Sequence, residues 1–345
     1  MLGNATLELH MDGVDGVAGD YQIDPRGLAA AMAEKLVRNV ETVVRGRREA
    51  VELISIGLLS GGHVLIQDVP GSGKTTLARS LARSIGGVFR RVQGTADLLP
   101  GDITGSSIWD SGRQEFRFVP GPIFANVLLV DELNRATPRA QSALLEAMDE
   151  AAVTLDGESH QLPDPFFVVA TQNPSDQYGT HPLPEGQLDR FALTLSLGPN
   201  DAATERLVMR EQLLRATVSD LHPVLTTDEL RWLQQETRRT HVADCVLDFA
   251  LAVVAATRAH PDVRIGASSR AALSMLHCGQ ARALLHGRGY VTPDDVKAVA
   301  PSALGHRLTL ARHSAQGYEV DRSTADRGAS VVRDVLAGLT VPLNG

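Results

Sequence analysis

Short apolar runs alternate with helical patterns over the first 198 residues of this chain. Apolar side chains recur at helical spacing in 25–44, 49–59 and 138–150. Five other runs have the length of buried strands and are bounded by Gly, Pro or polar residues: 64–67, 88–93, 126–130, 166–170 and 192–197. Strands that alternate with helices are typical of a parallel α/β fold. We therefore predict a five-stranded parallel sheet between two layers of helices, an αβα core.

The pattern changes after Gly198, where only helical periodicity is found. The predicted helices cover 202–214, 228–237, 242–259, 269–285 and 293–304. The last of them has a strong start signal, with Thr292 as N-cap, Pro293 in the first position and acids in the first turn. We predict a second, all-α domain over 199–345.

Three segments do not fit this alternation. Residues 1–24 are rich in Gly and Asp, without periodicity, and are expected to form a flexible tail that precedes the core domain of 25–198. The stretch 94–122 is too long for a plain connection, so we expect an inserted or functional element. Residues 152–162 predict a hairpin, because Asp156-Gly157 is a strong signal for a two-residue turn.

Composition narrows the functional classes. The 345 residues carry a net charge of −8, without the basic footprint of a nucleic-acid-binding protein, and no nucleic acid is expected. The two cysteines, Cys245 and Cys278, fit buried residues of a reducing compartment. Neither a transmembrane segment nor a basic signal-peptide region is found, so we expect a cytoplasmic protein.

The segment from Val64 to Leu81 reads as a strand, a glycine-bearing turn and a helix that opens with Lys74-Thr75. This is the layout of a phosphate-binding P-loop, in which turn N–H groups and the helix N-terminus face a phosphate chain. Lys74 would reach the outer phosphates, and the Thr75 hydroxyl is placed to bind Mg²⁺. Asp68 occupies the position of the motif's first glycine, and an ordinary strand–turn–helix corner is the alternative.

Polar residues follow two further predicted strands. Asp131 and Glu132 come directly after one apolar run, where ligands bind in an open α/β sheet. Adjacent acids repel unless a cation lies between them or one of them does other work, which fits a Mg²⁺-holding Asp131 and a general-base Glu132. Two solvated acids at a strand end are the alternative. Asn173 follows the next strand and could orient a water or contact the γ-phosphate.

With these motifs in order, the chain resembles the AAA+ ATPases and is most similar to the MoxR family. The motifs that carry the resemblance are DVPGSGKTTLA (68–78), LLVDELNRATPRAQSALLEAM (128–148), VVATQNP (168–174), LPEGQLDRF (183–191) and GASSRA (266–271). It covers roughly residues 25–310. It implies a P-loop core with a helix-2 insert at 94–122 and a pre-sensor-1 hairpin at 152–162, both facing the pore of a ring, followed by a helical lid.

The resemblance also implies roles for individual residues. ATP phosphates would be held by Lys74 and the loop around it: Asp68, Val69, Pro70, Gly71, Ser72, Gly73, Thr75 and Thr76. Val44 and Gly46 would flank the adenine, although Arg47 replaces the family's usual Gln. Thr75 and Asp131 would ligate Mg²⁺, Glu132 would activate the attacking water, and Asn173 would be the sensor-1 residue.

Two arginines complete the implied site. Arg190 looks like an arginine finger for a neighbouring subunit, and Arg270 matches the sensor-2 arginine of the lid. Solvated or locally paired arginines are the alternatives, and Arg135 or Arg139 could also reach across an interface. In the insert, Trp109, Phe116 and Phe118 would either grip a client or pack on their own domain.

The implied function is Mg²⁺-dependent ATP hydrolysis by a ring, hexameric by family resemblance, that remodels or matures client proteins. A partner with a von Willebrand factor A domain is part of this expectation. The alternatives are the ATPase subunit of a magnesium or cobalt chelatase, a nucleic-acid motor, and a nucleotide-gated scaffold without turnover.

Overall fold

A computed structural model of the chain describes residues 24–69, 71–173, 179–198, 201–213, 218, 221–311 and 324–340. The predicted tail at 1–24 lies outside these ranges except for Asp24. Pro70 of the predicted P-loop and Pro174 lie outside them as well. The predicted domain boundary after residue 198 borders undescribed residues and stays a prediction.

The described residues form a central sheet, two layers of helices around it, and a C-terminal helical region (residues 201–340). The helices are α1 (Pro25–Glu41), α2 (Arg48–Leu59), α3 (Lys74–Ser84), α4 (Pro100–Thr104), α5 (Pro138–Glu150), α6 (Glu185–Leu188), α7 (Ala202–Leu213), α8 (Thr227–Arg238), α9 (Asp244–Ala259), α10 (Ser269–Leu285), α11 (Pro293–Leu304) and α12 (Thr324–Gly338). The strands are β1 (His63–Gln67), β2 (Phe89–Gln93), β3 (Gly105–Asp110), β4 (Glu115–Pro120), β5 (Val127–Asp131), β6 (Ala152–Leu155), β7 (Glu158–Gln161), β8 (Phe167–Gln172), β9 (Phe191–Leu195), β10 (Val263–Ile265) and β11 (Thr309–Leu310).

The central sheet confirms the predicted five-stranded parallel sheet. Its order is β2-β5-β8-β1-β9, and all four neighbouring pairs are parallel. Val64 and Ile66 face one hydrophobic cluster, shared with α1, α2 and α3, while Leu65 faces a second cluster with α5. Burial on both faces explains why the strand sequences are continuous apolar runs rather than alternating patterns.

Parallel strands give the sheet two chemically different edges. At the carboxyl edge, β1, β2, β5 and β8 end in Gln67, Gln93, Asp131 and Gln172. At the amino edge, His63 begins β1 beside Phe191 of β9 and donates from Nε2 to the Met148 carbonyl oxygen at 3.3 Å. The last turn of α5 therefore lies at the amino edge. The five residues of β1 separate the two edges by about 13 Å.

Side-chain caps fix several helix starts. The Asp24 side chain accepts hydrogen bonds from the first-turn N–H groups of α1. Thr137 caps α5, and Thr292 forms a capping box with Asp295 at the start of α11, as its sequence predicts.

Both inserted segments contain a hairpin. Strands β6 and β7 form the predicted one, with positive φ at Asp156 (51°) and Gly157 (84°), as a type I′ turn requires. The sequence did not reveal that 94–122 folds into α4 and the hairpin β3–β4. Phe118 of β4 stacks on His160 of β7 with ring centroids 4.0 Å apart, so the two hairpins pack together.

The C-terminal helical region contains two elements that its sequence pattern did not predict. Strands β10 and β11 form a short antiparallel pair, so helices are not its only regular structure. Helix α12 packs against the 3₁₀ turn Gly305–Arg307 so closely that a Cβ on Gly328 would lie 2.0 Å from the Gly305 carbonyl oxygen. Within the described ranges, no helix is long and apolar enough to cross a membrane.

Candidate nucleotide-binding site

The predicted P-loop follows β1 at the carboxyl edge. Gly71 and Gly73 have φ of 84° and 94°, and no atom within 4 Å would contact an added Cβ, so backbone conformation rather than space requires glycine here. Helix α3 begins at Lys74 and carries Thr75 and Thr76 in its first turn. Among the described residues, no hydrogen bond uses the N–H groups of Gly71, Gly73 or Thr75. These donors suit an anion at the helix N-terminus.

Lys74 is held inside the loop. Its ammonium donates to the carbonyl oxygens of Asp68 at 3.0 Å and Val69 at 2.8 Å, and one N–H remains for a phosphate. Only 9% of the residue is exposed. This burial lowers the Lys74 pKa, and the negative charges of Asp68, Asp131 and Glu132 act in the opposite direction.

Asp68 connects the P-loop to the segment after β9. Its buried carboxylate accepts hydrogen bonds from the N–H groups of Leu197 at 2.8 Å, Gly198 at 3.2 Å and Val69 at 3.0 Å. Its own N–H donates to the Gln172 carbonyl oxygen at the end of β8, at 3.1 Å. Glycine could make only the last of these contacts. Asp68 therefore gives the loop a fixed attachment to the segment that follows β9.

The segment predicted to flank the adenine lies beside this loop. Val44 is buried, and Gly46 has φ of 71° and packs so closely on α7 that a Cβ would lie 2.7 Å from Thr204 Cγ2. Arg47 donates to the Ser72 carbonyl oxygen of the P-loop at 2.8 Å. Burial lowers the Arg47 pKa, and Asp68 and Glu205 raise it. Arg47 stands where the resemblance implies a Gln, and it ties the segment to the phosphate loop.

Asp131 and Glu132 lie at the same edge, at the end of β5. A buried threonine supports both: Thr171 Oγ1 donates to Asp131 Oδ1 at 2.7 Å and accepts from the Glu132 N–H at 2.9 Å. Asp131 Oδ2 also pairs with Arg91 of β2 at 2.7 Å. The sheet thus orients the first acid from the strands on both sides of it.

Glu132 adopts a left-handed backbone conformation, with φ of 56° and ψ of 50°. Such a conformation is unfavourable for a residue with a side chain and is concentrated at functional sites. Its carboxylate accepts from Gln93 Nε2 at 3.2 Å and pairs with Arg135 Nε at 3.3 Å. Gly94 follows Gln93, and a Cβ there would lie 2.2 Å from the Glu132 carbonyl oxygen. Only glycine allows this close approach of the two chains.

Asn173 follows β8 directly, so the structure brings it to the carboxyl edge with Lys74, Thr75, Asp131 and Glu132. The donor set at this edge fits a nucleotide-bound Mg²⁺. Among the described residues there is no cluster of three or more His, Cys, Asp or Glu side chains that could hold a metal alone. Mg²⁺ in nucleotide sites takes one or two protein oxygens and otherwise phosphate oxygens and water.

The two predicted arginines, Arg190 and Arg270, lie at the opposite edge of the sheet. Arg190 immediately precedes β9, and Arg270 lies in the first turn of α10. Both bind Asp149 in the last turn of α5, at 2.8 Å and 2.7 Å respectively. They therefore lie at the amino edge, at the other end of β1 from Lys74. Neither arginine is near the P-loop of its own chain.

Sequence reasoning assigned no contact to four side chains that shape the carboxyl-edge site: Arg47, Arg91, Gln93 and Thr171. Each contacts a predicted site residue that is distant in sequence. A weak signal existed for Gln93 and Thr171, since both are polar residues at the ends of predicted strands. Arg47 and Arg91 gave no such signal.

Comparisons with known proteins place this chain in a family. Residues 63–193 match the model of the ATPase family associated with various cellular activities (AAA), and residues 255–327 match the AAA lid domain. A candidate ATPase from Cytophaga hutchinsonii has a similar crystal structure, with a TM-score of 0.83 and 32% identity, over 92% of this chain and 97% of that one.

Two relatives cover most of the chain. The uncharacterised protein YeaC of Bacillus subtilis is 43% identical over 90% of this chain and 94% of its own length. Chaperone MoxR1 of Mycobacterium tuberculosis is 40% identical over 82% of this chain and 78% of its own length. The αβα core, the helical lid and these relatives together show that the chain belongs to the MoxR family of AAA+ ATPases.

Proposed function

We propose that this protein hydrolyses ATP with Mg²⁺ as a hexameric ring whose active sites lie between neighbouring subunits. The position of Arg190 and Arg270 carries the proposal. Both lie at the amino edge of the sheet, whereas Lys74, Asp131 and Glu132 lie at the carboxyl edge. A head-to-tail ring brings opposite surfaces of adjacent subunits together, as this division of the site requires.

The carboxyl edge supplies positioning and charge. Lys74 and the N–H groups of the loop would hold the phosphates, and the Thr75 hydroxyl and the Asp131 carboxylate would hold Mg²⁺. Bound Mg²⁺ neutralises charge on the β- and γ-phosphates. The Glu132 carboxylate would accept a proton from the attacking water, which Asn173 orients. Phosphoryl transfer depends chiefly on such positioning and charge stabilisation.

The amino edge of the neighbour would supply the missing cations. An arginine finger contributes about 10³–10⁵ in rate in other nucleotide hydrolases. Arg190 and Arg270 share Asp149, so we propose that both act in trans. Arg135 pairs with Glu132 of its own chain, which favours a role within the subunit. Arg139 is exposed in the first turn of α5, near the carboxyl edge.

A subunit-mixing experiment tests the shared site. Glu132→Gln and Arg190→Ala should each bind ATP and lose turnover, because each removes one half of every active site. Mixed in equal amounts, the two variants should regain about one quarter of wild-type turnover, because a random head-to-tail ring pairs an intact Glu132 with an intact Arg190 at one interface in four.

Two controls separate a shared active site from an unshared one, and an enzyme from a scaffold. Mass spectrometry of intact rings must show mixed assemblies. If mixed rings form and remain inactive, the site is not shared through Arg190. If wild type and Glu132→Gln hydrolyse ATP equally slowly while both bind it, the protein is a nucleotide-gated scaffold rather than an enzyme.

We also propose a chaperone-like role in remodelling or maturing client proteins. Two observations support it: the relative MoxR1 is named a chaperone, and the insert hairpin exposes two aromatic side chains. Trp109 is 52% and Phe116 71% exposed, whereas Phe118 packs on His160 and Phe124. A partner with a von Willebrand factor A domain remains a family-based expectation.

Capture with tagged Glu132→Gln tests this role. Proteins that it retains in ATP should be lost when Trp109 and Phe116 are both changed to Ser, with ATP binding unchanged. Retention of the same proteins by the double serine variant would remove the hairpin from client binding. A copurifying von Willebrand-type protein would identify the expected partner.

A further inference from the structure

One carboxylate joins the two arginines at the amino edge. Asp149 Oδ2 accepts from Arg190 Nε at 2.8 Å, and Asp149 Oδ1 accepts from Arg270 NH2 at 2.7 Å. Each carboxylate oxygen thus binds one guanidinium. Asp149 belongs to α5 of the core, Arg190 to the segment before β9, and Arg270 to α10 of the C-terminal helical region. Three separate segments therefore meet at one side chain.

A third arginine fixes two of these segments, the one before β9 and α10, relative to each other. Arg307, whose side chain is only 4% exposed, pairs through Nε with Asp189 Oδ1 at 3.1 Å. Its NH2 group donates to the carbonyl oxygens of Asp189 at 3.0 Å and Phe191 at 2.9 Å, on both sides of Arg190. The same NH2 group contacts Ser274 Oγ of α10 at 3.3 Å. The backbones that carry Arg190 and Arg270 are thus held as one unit.

The charges of this cluster do not balance. Arg190, Arg270 and Arg307 face two carboxylates, those of Asp149 and Asp189. Burial lowers the Arg307 pKa, Asp189 raises it, and the nearby positive charge of Arg270 lowers it further. Without Asp149, Arg190 would lose its ion pair, Arg270 would keep only the longer contact of its Nε with Asp189 Oδ2 at 4.0 Å, and the repulsion between the two arginines would be less compensated. The cluster keeps one positive charge in excess, which favours a further anion.

We propose that Asp149 is a positioning residue that presents Arg190 and Arg270 as a pair to the γ-phosphate of the neighbouring subunit. The inference rests on the proposed function, because it assumes that both arginines act in trans. Asp149 engages Arg190 through Nε, which leaves its two terminal nitrogens for a bidentate contact with phosphate. The carboxylate itself does not contact the nucleotide.

Steady-state ATP hydrolysis by assembled rings tests this role. Asp149→Ala should lower kcat about 10- to 100-fold, because misplacement of a catalytic group by about 1 Å has effects of this size. The ATP dissociation constant should stay unchanged, since the P-loop lies at the other edge of the sheet. Glu150→Gln is the matched control: Glu150 is the adjacent acid, is exposed, and has no ion pair or side-chain hydrogen bond within the part of the chain that the structure describes. It should keep wild-type kcat.

Two further variants separate positioning from a structural effect. Asp149→Glu keeps the carboxylate and should retain more turnover than Asp149→Asn, which has similar volume but only one acceptor oxygen. In rings that already carry both Arg190→Ala and Arg270→Ala, adding Asp149→Ala should cause little further loss, because both arginines that Asp149 positions are then missing. Ring mass and melting temperature are measured for every variant. If Asp149→Ala fails to assemble, the comparison of Asp149→Glu with Asp149→Asn tests the positioning role instead.

The outcomes distinguish the inference from the function on which it rests. Wild-type kcat in both Asp149→Ala and Asp149→Asn, beside an inactive Arg190→Ala, would overturn the role of Asp149 and leave the shared site intact. A further large loss when Asp149→Ala is added to rings that lack both arginines would also overturn it. Wild-type turnover by Arg190→Ala would instead refute the proposed function.

Discussion

Acidification should weaken the fold, and the buried histidine His63 should contribute a measurable part of this loss. His63 is 8% exposed at the start of β1 and its neutral form fits its surroundings: Nδ1 accepts from the Val168 N–H at 3.1 Å, and Nε2 donates to the Met148 carbonyl oxygen. A proton on Nδ1 would face the Val168 N–H, which is also a donor. Burial lowers the His63 pKa from its ordinary 6.5 to about 4, and the Met148 contact and the Asp149 charge only partly oppose it.

The size of the effect follows from the two pKa values. A base with a depressed folded-state pKa contributes its full stability above the unfolded pKa of 6.5, and this contribution falls as the pH drops from there toward about 4. At about pH 5.0, protonation of His63 lowers the free energy of the unfolded chain by about 2 kcal/mol. It lowers the free energy of the folded chain by less than about 0.1 kcal/mol. At about pH 7.5 His63 is almost fully unprotonated in both states, so both of these free energies are close to zero. His63 should therefore remove about 2 kcal/mol of stability between these two pH values.

Urea unfolding followed by circular dichroism measures this loss. His63→Asn removes the titrating group and keeps an oxygen that can accept from the Val168 N–H. All other titratable side chains are common to the two proteins, so the loss between about pH 7.5 and about pH 5.0 should be greater for wild type by about 2 kcal/mol. The same loss in both proteins would refute the assignment of His63 as a buried neutral group.

Two substitutions at the carboxyl edge have equally definite expectations. Thr171→Val keeps the side-chain shape but leaves the half-buried Glu132 N–H without its acceptor, so the free energy of unfolding should fall by about 0.5–1.5 kcal/mol. ATP turnover should fall as well, and Thr171→Ser should restore both; full turnover in the valine variant would contradict this role. Gly94→Ala should displace the Glu132 backbone and abolish turnover, since the added Cβ would lie 2.2 Å from a backbone oxygen. Gly101→Ala, where nothing lies within 4 Å, is its control, and equal turnover of the two alanine variants would show that the close approach is unimportant.

The sequence predicts the central sheet well because both faces of each strand are buried. Continuous apolar runs then mark β1, β5 and β8 without ambiguity. The hairpin β3–β4 was not predicted, because most of its side chains are exposed and neither strand has a buried face that would give a periodic pattern. Helix α12 could have been found, since Val331, Val332 and Val335 have helical spacing and are buried.

The candidate site also has one part that the sequence predicts and another part that it does not. The P-loop and Asp131-Glu132 are local motifs, and their chemistry can be read from adjacent residues. Which edge of the sheet carries Arg190 depends on the direction of β9 relative to β1, and pairing between distant strands fixes it. Thr171 supports Asp131 across 40 residues of sequence, a contact that no local pattern encodes.

Asp68 has a consequence for protein engineering. Stabilisation by consensus replaces an unusual residue with the one that a motif prefers, here the first glycine of the P-loop pattern. In this chain that change would remove the acceptor for the buried N–H of Leu197 and add backbone freedom to the phosphate loop. The off-consensus residue is thus the stabilising one, and a motif score would rank the two variants in the wrong order.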